Sequence, residues 1–201
     1  MGRLIEINLL DLRPTQFAVG MSAVLSKQKK IEKMPRKDLR RYIRERTVPV
    51  VTGMDGDYFM IDRHHLTRAL WQAGEKKVFV DVLKDWSHLP SKPFWEKMKR
   101  QGWVYLYDQF GRGPHNVQCL PRNVISLADD PFRSLAKAVQ EAGAIPKSPR
   151  PFSEFAWANF FRNSVPIELV VNDFKAAIAL GIQLIPEKAA LPRSVIRANF
   201  C

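Results

Sequence analysis

The stretch Tyr58-Phe-Met-Ile-Asp-Arg-His-His-Leu-Thr-Arg-Ala-Leu-Trp-Gln-Ala-Gly74 decides the fold, because an apolar strand, Tyr58 to Ile61, runs through a polar turn straight into a helix. Leu66, Ala69, Leu70 and Ala73 recur at the three- and four-residue spacing of one helical face, and Gly74 stands where a left-handed C-terminal cap belongs. Asp62, Arg63, His64 and His65 therefore fall at a helix N-terminus. Open amides and the positive end of the helix dipole meet there, so an anionic group can be held without a dedicated side-chain pocket. Neighbouring helical positions point about 100° apart, so one imidazole can meet a phosphate while the other packs beneath the turn. Asp62 can orient a histidine, bind a phosphate-bound Mg2+ or cap the helix, and capping is compatible with either other use.

Upstream, Val48 to Thr52 and Asp57 to Ile61 flank Gly53-Met-Asp-Gly56 as a hairpin. Leu4 to Leu10 alternates as a first strand, left through the proline turn Asp11 to Gln16. Ser22 is placed to cap a helix that Pro35 ends, and Arg36 to Glu45 predicts a second, very basic helix with Leu39, Tyr42 and Ile43 to bury. Downstream, Lys77 to Leu83 reads as a strand, Ser91 to Gln101 as a helix with Phe94, Trp95 and Met98 inward, and Trp103 to Tyr107 as a further strand. Asp130-Pro131 opens a helix that Gly143 closes, and Pro146, Pro149 and Pro151 form a linker. An aromatic helix, Ser153 to Arg162, and one from Pro166 to Leu180 ended by Gly181 precede a basic tail of about twenty residues.

The 201 residues, 46% of them hydrophobic, suffice for one large domain or a domain with an extension: residues 1–90 as the first, 91–201 as a mainly helical extension packed on it. No apolar window reaches the length of a membrane span and no secretory signal is visible, so the expected location is the cytoplasm, with Cys119 and Cys201 as reduced thiols. The net charge of +12 favours polyanions, and its distribution is uneven. Between Lys27 and Arg46 ten basic residues face three acids, so +7 of the +12 falls in twenty positions. Lys27, Lys29, Lys30, Lys33, Arg36, Lys37, Arg40, Arg41 and Arg44 are the expected DNA-contacting residues. No zinc spacing, P-loop or protein-kinase signature is present. The helix from Phe152 to Phe161 reads as core or as a homodimer contact rather than a base-stacking platform.

Three pieces, Leu12-Arg-Pro-Thr-Gln16, Ile61-Asp-Arg-His-His-Leu-Thr-Arg-Ala69 and Asp129-Asp-Pro-Phe-Arg-Ser-Leu-Ala136, resemble the ParB/sulfiredoxin superfamily, and within it the branch called ParB-like putative nucleases. The resemblance implies an α+β fold, a ParB/sulfiredoxin-like N-terminal domain with a small mixed sheet and a helical C-terminal extension. It also implies that the turn from Asp62 to Arg68 binds nucleotide phosphates, as in members that use CTP, ATP or ADP or have ATPase or DNase activity. Asp62, His64 and His65 match the Asp-Gly-His-His-Arg pattern of the kinase-like members. Arg63 stands where glycine is usual and Leu66 where a phosphate-binding arginine is common, leaving Arg63 or Arg68 to supply the charge. His64 occupies the position of the sulfiredoxin cysteine, which excludes that redox chemistry, and Gln16 replaces the acidic base expected of a serine kinase.

The resulting expectation is a nucleotide-binding, DNA-associated protein, an ATPase or DNase, taking ATP or another purine nucleotide with Mg2+. Asp62, His64 and His65 are its expected catalytic residues, and Arg13, Thr15, Gln16, Arg63, Thr67 and Arg68 its expected phosphate contacts. The alternative is a non-catalytic regulator from a mobile element that keeps the fold and acts on a protein or nucleoprotein complex.

Overall fold

The computed structural model describes residues 4–146 and 152–185. The chain forms two compact units: one of the residues to Val19 together with Ala23–Ala128, the other of Gly20–Ser22 and the residues from Asp129 onward. Pro149, Pro151 and the expected basic tail with Cys201 lie outside the described residues.

The first unit is built on a curled five-stranded mixed sheet. Its strands are β1 (Leu4–Asn8), β2 (Leu12–Pro14), β4 (Val48–Thr52), β5 (Tyr58–Met60) and β6 (Lys77–Asp85), in the order β1-β6-β4-β5-β2, while a short β3 (Ala18–Val19) stands outside it. β6 pairs antiparallel with β1 and parallel with β4. Its alternation buries Val78 and Val80, which with Val48 and Val50 of β4 are at most 2% exposed. The register slips between Val50, opposite Val82, and Val51, opposite Lys84, so Leu83 is an extra residue in a β-bulge. β4 and β5 form the expected hairpin, closed where Gly53 donates to the Asp57 carbonyl at 2.9 Å. A Cβ on Gly53 would lie 2.5 Å from the Phe59 ring, so only glycine lets the chain pass there.

Helices α1 (Met21–Glu32), α2 (Arg36–Glu45), α3 (His64–Gln72) and α4 (Ser91–Arg100) complete the elements of this half of the chain. α1 begins before Ser22, whose amide donates to the Ser134 hydroxyl at 3.2 Å, so Ser22 is inside the helix rather than its cap. Pro35 precedes α2, and Gly74, at φ 84°, ends α3 in the left-handed region as its position implies. Phe94 and Met98 of α4 bury against Val51 and Phe59, with the Phe59 and Phe94 rings 4.9 Å apart. α4 belongs to the first unit, which runs to Ala128.

Trp103 to Tyr107 is not a strand. Its backbone bonds go to separate places rather than to one neighbouring strand: the Trp103 amide to the Met98 carbonyl at 3.0 Å, the Tyr105 amide to the Thr15 carbonyl at 2.9 Å, and the Leu106 carbonyl from the His115 amide at 2.7 Å. The chain then folds over Asp108, whose carboxylate accepts from the Phe110 and Arg112 amides and pairs with His115 at 3.1 Å.

The second unit is helical: α5 (Pro131–Glu141), α6 (Ser153–Ser164), α7 (Ile167–Asn172) and α8 (Phe174–Gln183). Leu135, Val139, Trp157, Phe161, Val170 and Ala177 form its core, so the aromatic face of α6 is internal packing. The single helix expected from Pro166 to Leu180 is broken at Asp173, which leaves helical geometry (φ −139°, ψ 80°) and accepts the Ala176 amide as the cap of α8. Gly181 does not stop that helix. It is buried inside it, where an added Cβ would meet Val139 at 3.0 Å and Phe161 at 3.3 Å.

The third motif is part of this packing. Asp130 is 1% exposed, caps α5 by accepting the Phe132 amide at 3.1 Å, and pairs with Arg162 at 2.6 Å. Asp129 accepts the Met21 amide at 2.8 Å, and buried Arg133 reaches Glu154 at 3.3 Å. Burial pushes both aspartate carboxyls above the usual range, with Arg162 and Arg133 pulling Asp130 the other way.

Candidate functional site

β2 and β5 run parallel with Pro14 beside Met60, so the segments leaving their ends lie side by side. Thr15, the first residue after β2, is fully buried and donates its hydroxyl to the Met60 carbonyl at 2.8 Å. Its amide donates to His64 Nε2 at 3.3 Å. In that contact the Nε2 lone pair of His64 is the acceptor. His64 is buried at the first position of α3, whereas His65 is half-buried at the second. Of the two imidazoles, His64 is the one packed beneath the turn.

The remaining phosphate candidates are mostly engaged. Thr67 is fully buried, its hydroxyl 3.1 Å from the His64 carbonyl and 3.2 Å from that of Arg63. Gln16 is buried and donates to the Ala18 carbonyl at 2.6 Å. Arg13 pairs with Asp57 at 2.9 Å. Arg68 donates to the Val124 carbonyl at 2.7 Å and to that of Ile125, with its guanidinium 5.1 Å from the centre of the Trp71 ring. Burial pulls the Arg68 guanidinium below its ordinary value, and its Nε is buried without a hydrogen-bond partner among the described residues. Leu66 is 4% exposed, so that position belongs to the core and supplies no cation.

Asp62 and Arg63 are the exposed members of the turn. Arg63 sits at φ 69°, ψ 16°, the left-handed region, with its amide donating to Asp62 Oδ1 at 2.6 Å. That backbone accounts for glycine being usual here, because a side chain in this region costs about 1 kcal/mol. No ion pair of the Arg63 guanidinium is found among the described residues. Arg63 thus presents its cation beside the N-terminus of α3.

The basic run folds as α1 and α2. Lys29, Lys30 and Lys33 are exposed and Lys27 half-buried, while Arg36, Lys37, Arg40, Arg41 and Arg44 are all exposed over buried Leu39 and Ile43. Arg36 pairs with Glu75, and Arg41 with Asp38 at 2.8 Å. Lys37, Arg40 and Arg44, at i, i+3 and i+7, share one helical face and have no carboxylate partner among the described residues. Beside them lies a hollow of about 660 Å³ with Leu39, Ile43 and Phe79 as its apolar lining and Arg36, Lys37, Arg40, Lys76 and Lys77 outnumbering Glu6 and Glu75. Lys76 and Lys77 were not among the expected DNA contacts. Only the tertiary fold brings them to α2, although a lysine pair at a strand start was visible in the sequence.

The sequence profile of a family described as Putative ParB-like nuclease matches residues 5–163. The chain belongs to the ParB-like nuclease family. A solved structure described as protein Atu1540 from Agrobacterium tumefaciens is 36% identical, covers 90% of this chain and 91% of its own length, and superposes with a TM-score of 0.83. Comparison with curated proteins finds no match. Membership in the ParB-like nuclease family suggests an association with DNA. Among the described residues no cluster of three metal-ligating side chains occurs, and no helix is long and apolar enough to cross a membrane.

Proposed function

We propose that this ParB-like protein binds DNA through the phosphate backbone, with α2 and its adjoining hollow as the contact surface. The observation that carries this reading is the row Lys37, Arg40 and Arg44 on one helical face, without carboxylate partners among the described residues, with Lys76 and Lys77 beside it, Lys77 pairing with Glu6 at 3.6 Å. Such a row neutralises successive phosphates without reading bases, so binding should be sequence-tolerant and strongly salt-dependent. Fluorescence anisotropy of a labelled duplex, titrated from about 50 to 200 mM salt, should show log affinity falling linearly with log salt, by about 0.9 per phosphate contacted. A flat dependence, or no binding at low salt, rejects the reading.

A second reading, phosphate chemistry at the Asp62–Arg68 turn, is favoured by Arg63, exposed beside the first turn of α3. A purine nucleotide with Mg2+, or a DNA phosphodiester, would meet Arg63 and the helix amides there, and hydrolysis would call on His65 rather than on His64, whose Nε2 is occupied. Should His65 prove dispensable to any such reaction, the non-catalytic regulator gains ground. Arg63→Gly separates charge from fold: it relieves the left-handed strain, so urea unfolding should show stability unchanged or raised by up to about 1 kcal/mol. Isothermal titration with ATP and Mg2+ should show binding by the wild type that weakens about tenfold or more in this variant. Equal binding by both proteins, or none by the wild type, removes the turn as a phosphate site.

A further inference from the structure

On the first unit, β6 and α4 enclose a second hollow of about 420 Å³, lined by Lys84, Trp86, Lys97, Arg100 and Gln101. Three of its five lining residues are cations, and no carboxylate lines it. Neither Lys84, Lys97 nor Arg100 has an ion-pair partner among the described residues. Lys97 and Arg100 lie in the last turn of α4, where the helix dipole favours positive charge, and that accounts for their sign. It does not account for their gathering around an indole. Trp86 is half-buried, backed on one side by Trp103 in a stacked arrangement at 5.7 Å and met at its edge by Phe94. The Lys97 ammonium stands 5.2 Å from its ring centre. An aromatic plate with a stacked backing, one cation over it and two more lining the same hollow matches the needs of one nucleotide: a π-face for the base and positive charge for its phosphates.

We propose that this hollow takes an unpaired nucleotide of a single-stranded nucleic acid, its base on Trp86 and its flanking phosphates at Lys84 and Arg100. The lysine over the ring marks where the base stacks. Its flexible stem lets the ammonium swing from the π-face to a phosphate oxygen as the base enters. Duplex DNA is not the ligand, because its bases are already stacked and offer the indole no face. The inference does not rest on the α2 surface, so each can fail while the other stands.

The test uses the full chain and a fluorescently labelled twelve-residue oligothymidylate. Binding should quench tryptophan emission in the wild type. Lys97→Ala/Arg100→Ala, exposed or half-exposed changes that leave the core intact, should weaken oligothymidylate binding about tenfold or more while altering duplex affinity by less than about twofold. Trp86→Leu should weaken it similarly and Trp86→Phe should recover most of the loss, because phenylalanine keeps a stacking face. Equal oligothymidylate affinity in wild type and the Lys97/Arg100 variant overturns the proposal. So does thymidine monophosphate binding as tightly as the oligomer, which would mark a free-nucleotide site. Loss of duplex binding in parallel with the single strand would show an unspecific cationic surface and would equally overturn it.

Discussion

Reversing Lys37, Arg40 and Arg44 together to glutamate is expected to weaken duplex DNA binding on the order of a hundredfold or more at low salt and to lower the salt slope by about three. The three side chains are exposed and lack acid partners among the described residues, so the change would remove the proposed phosphate contacts without opening the core. Leu39 and Ile43, which hold the helix to the body, are untouched. Thermal unfolding should move little, since surface substitutions of this kind are usually worth less than about 0.5 kcal/mol each. Anisotropy across a salt series reads both affinity and slope. An affinity loss with an unchanged slope would point to a folding defect, and no loss at all would remove α2 from the DNA contact.

The largest effect on stability is expected from Asp130→Ala. This carboxylate is 1% exposed, closes the N-terminus of α5 and sits 2.6 Å from Arg162, which is itself mostly buried. Alanine leaves the Phe132 amide without its cap and a guanidinium without its counter-ion, while Arg133 loses a nearby negative charge. Breaking one side of a buried pair costs about 3–5 kcal/mol, to which the lost cap adds about 1. Urea unfolding of the variant should show that loss; a change below about 1 kcal/mol would mean that the aspartate is a surface cap and nothing more.

What could be read from the sequence was largely local. Pro35, Gly74 and the Asp130-Pro131 pair bound their helices where their backbone chemistry implies, and α2 spans the expected residues. Asp173 was missed because an aspartate inside an apolar period looks like one polar position of a longer helix, and only its φ and ψ reveal a new start. Gly181 was misread because a glycine that stops a helix and one that admits a close neighbour carry the same letter. The polar turn was located correctly, yet its interior was not legible. The hydrogen bond from Thr15 to His64 joins residues 49 apart in the chain, and nothing near His64 in the sequence tells that its Nε2 is engaged there. The same holds for Lys84, Trp86 and Lys97, unremarkable on their own elements and meaningful only once β6 and α4 meet.

The extra residue in β6 settles on which side of the sheet that strand shows its positive charge. Side chains alternate along a strand, so Lys77 and Lys84, seven positions apart, would point to opposite surfaces of a regular ladder. Leu83 inserts one step, and Lys84 comes opposite Val51 rather than continuing the phase of Val82. Both lysines thus emerge on one surface, about 20 Å apart along the strand. Deleting Leu83 would restore the regular alternation and turn Lys84 to the opposite surface.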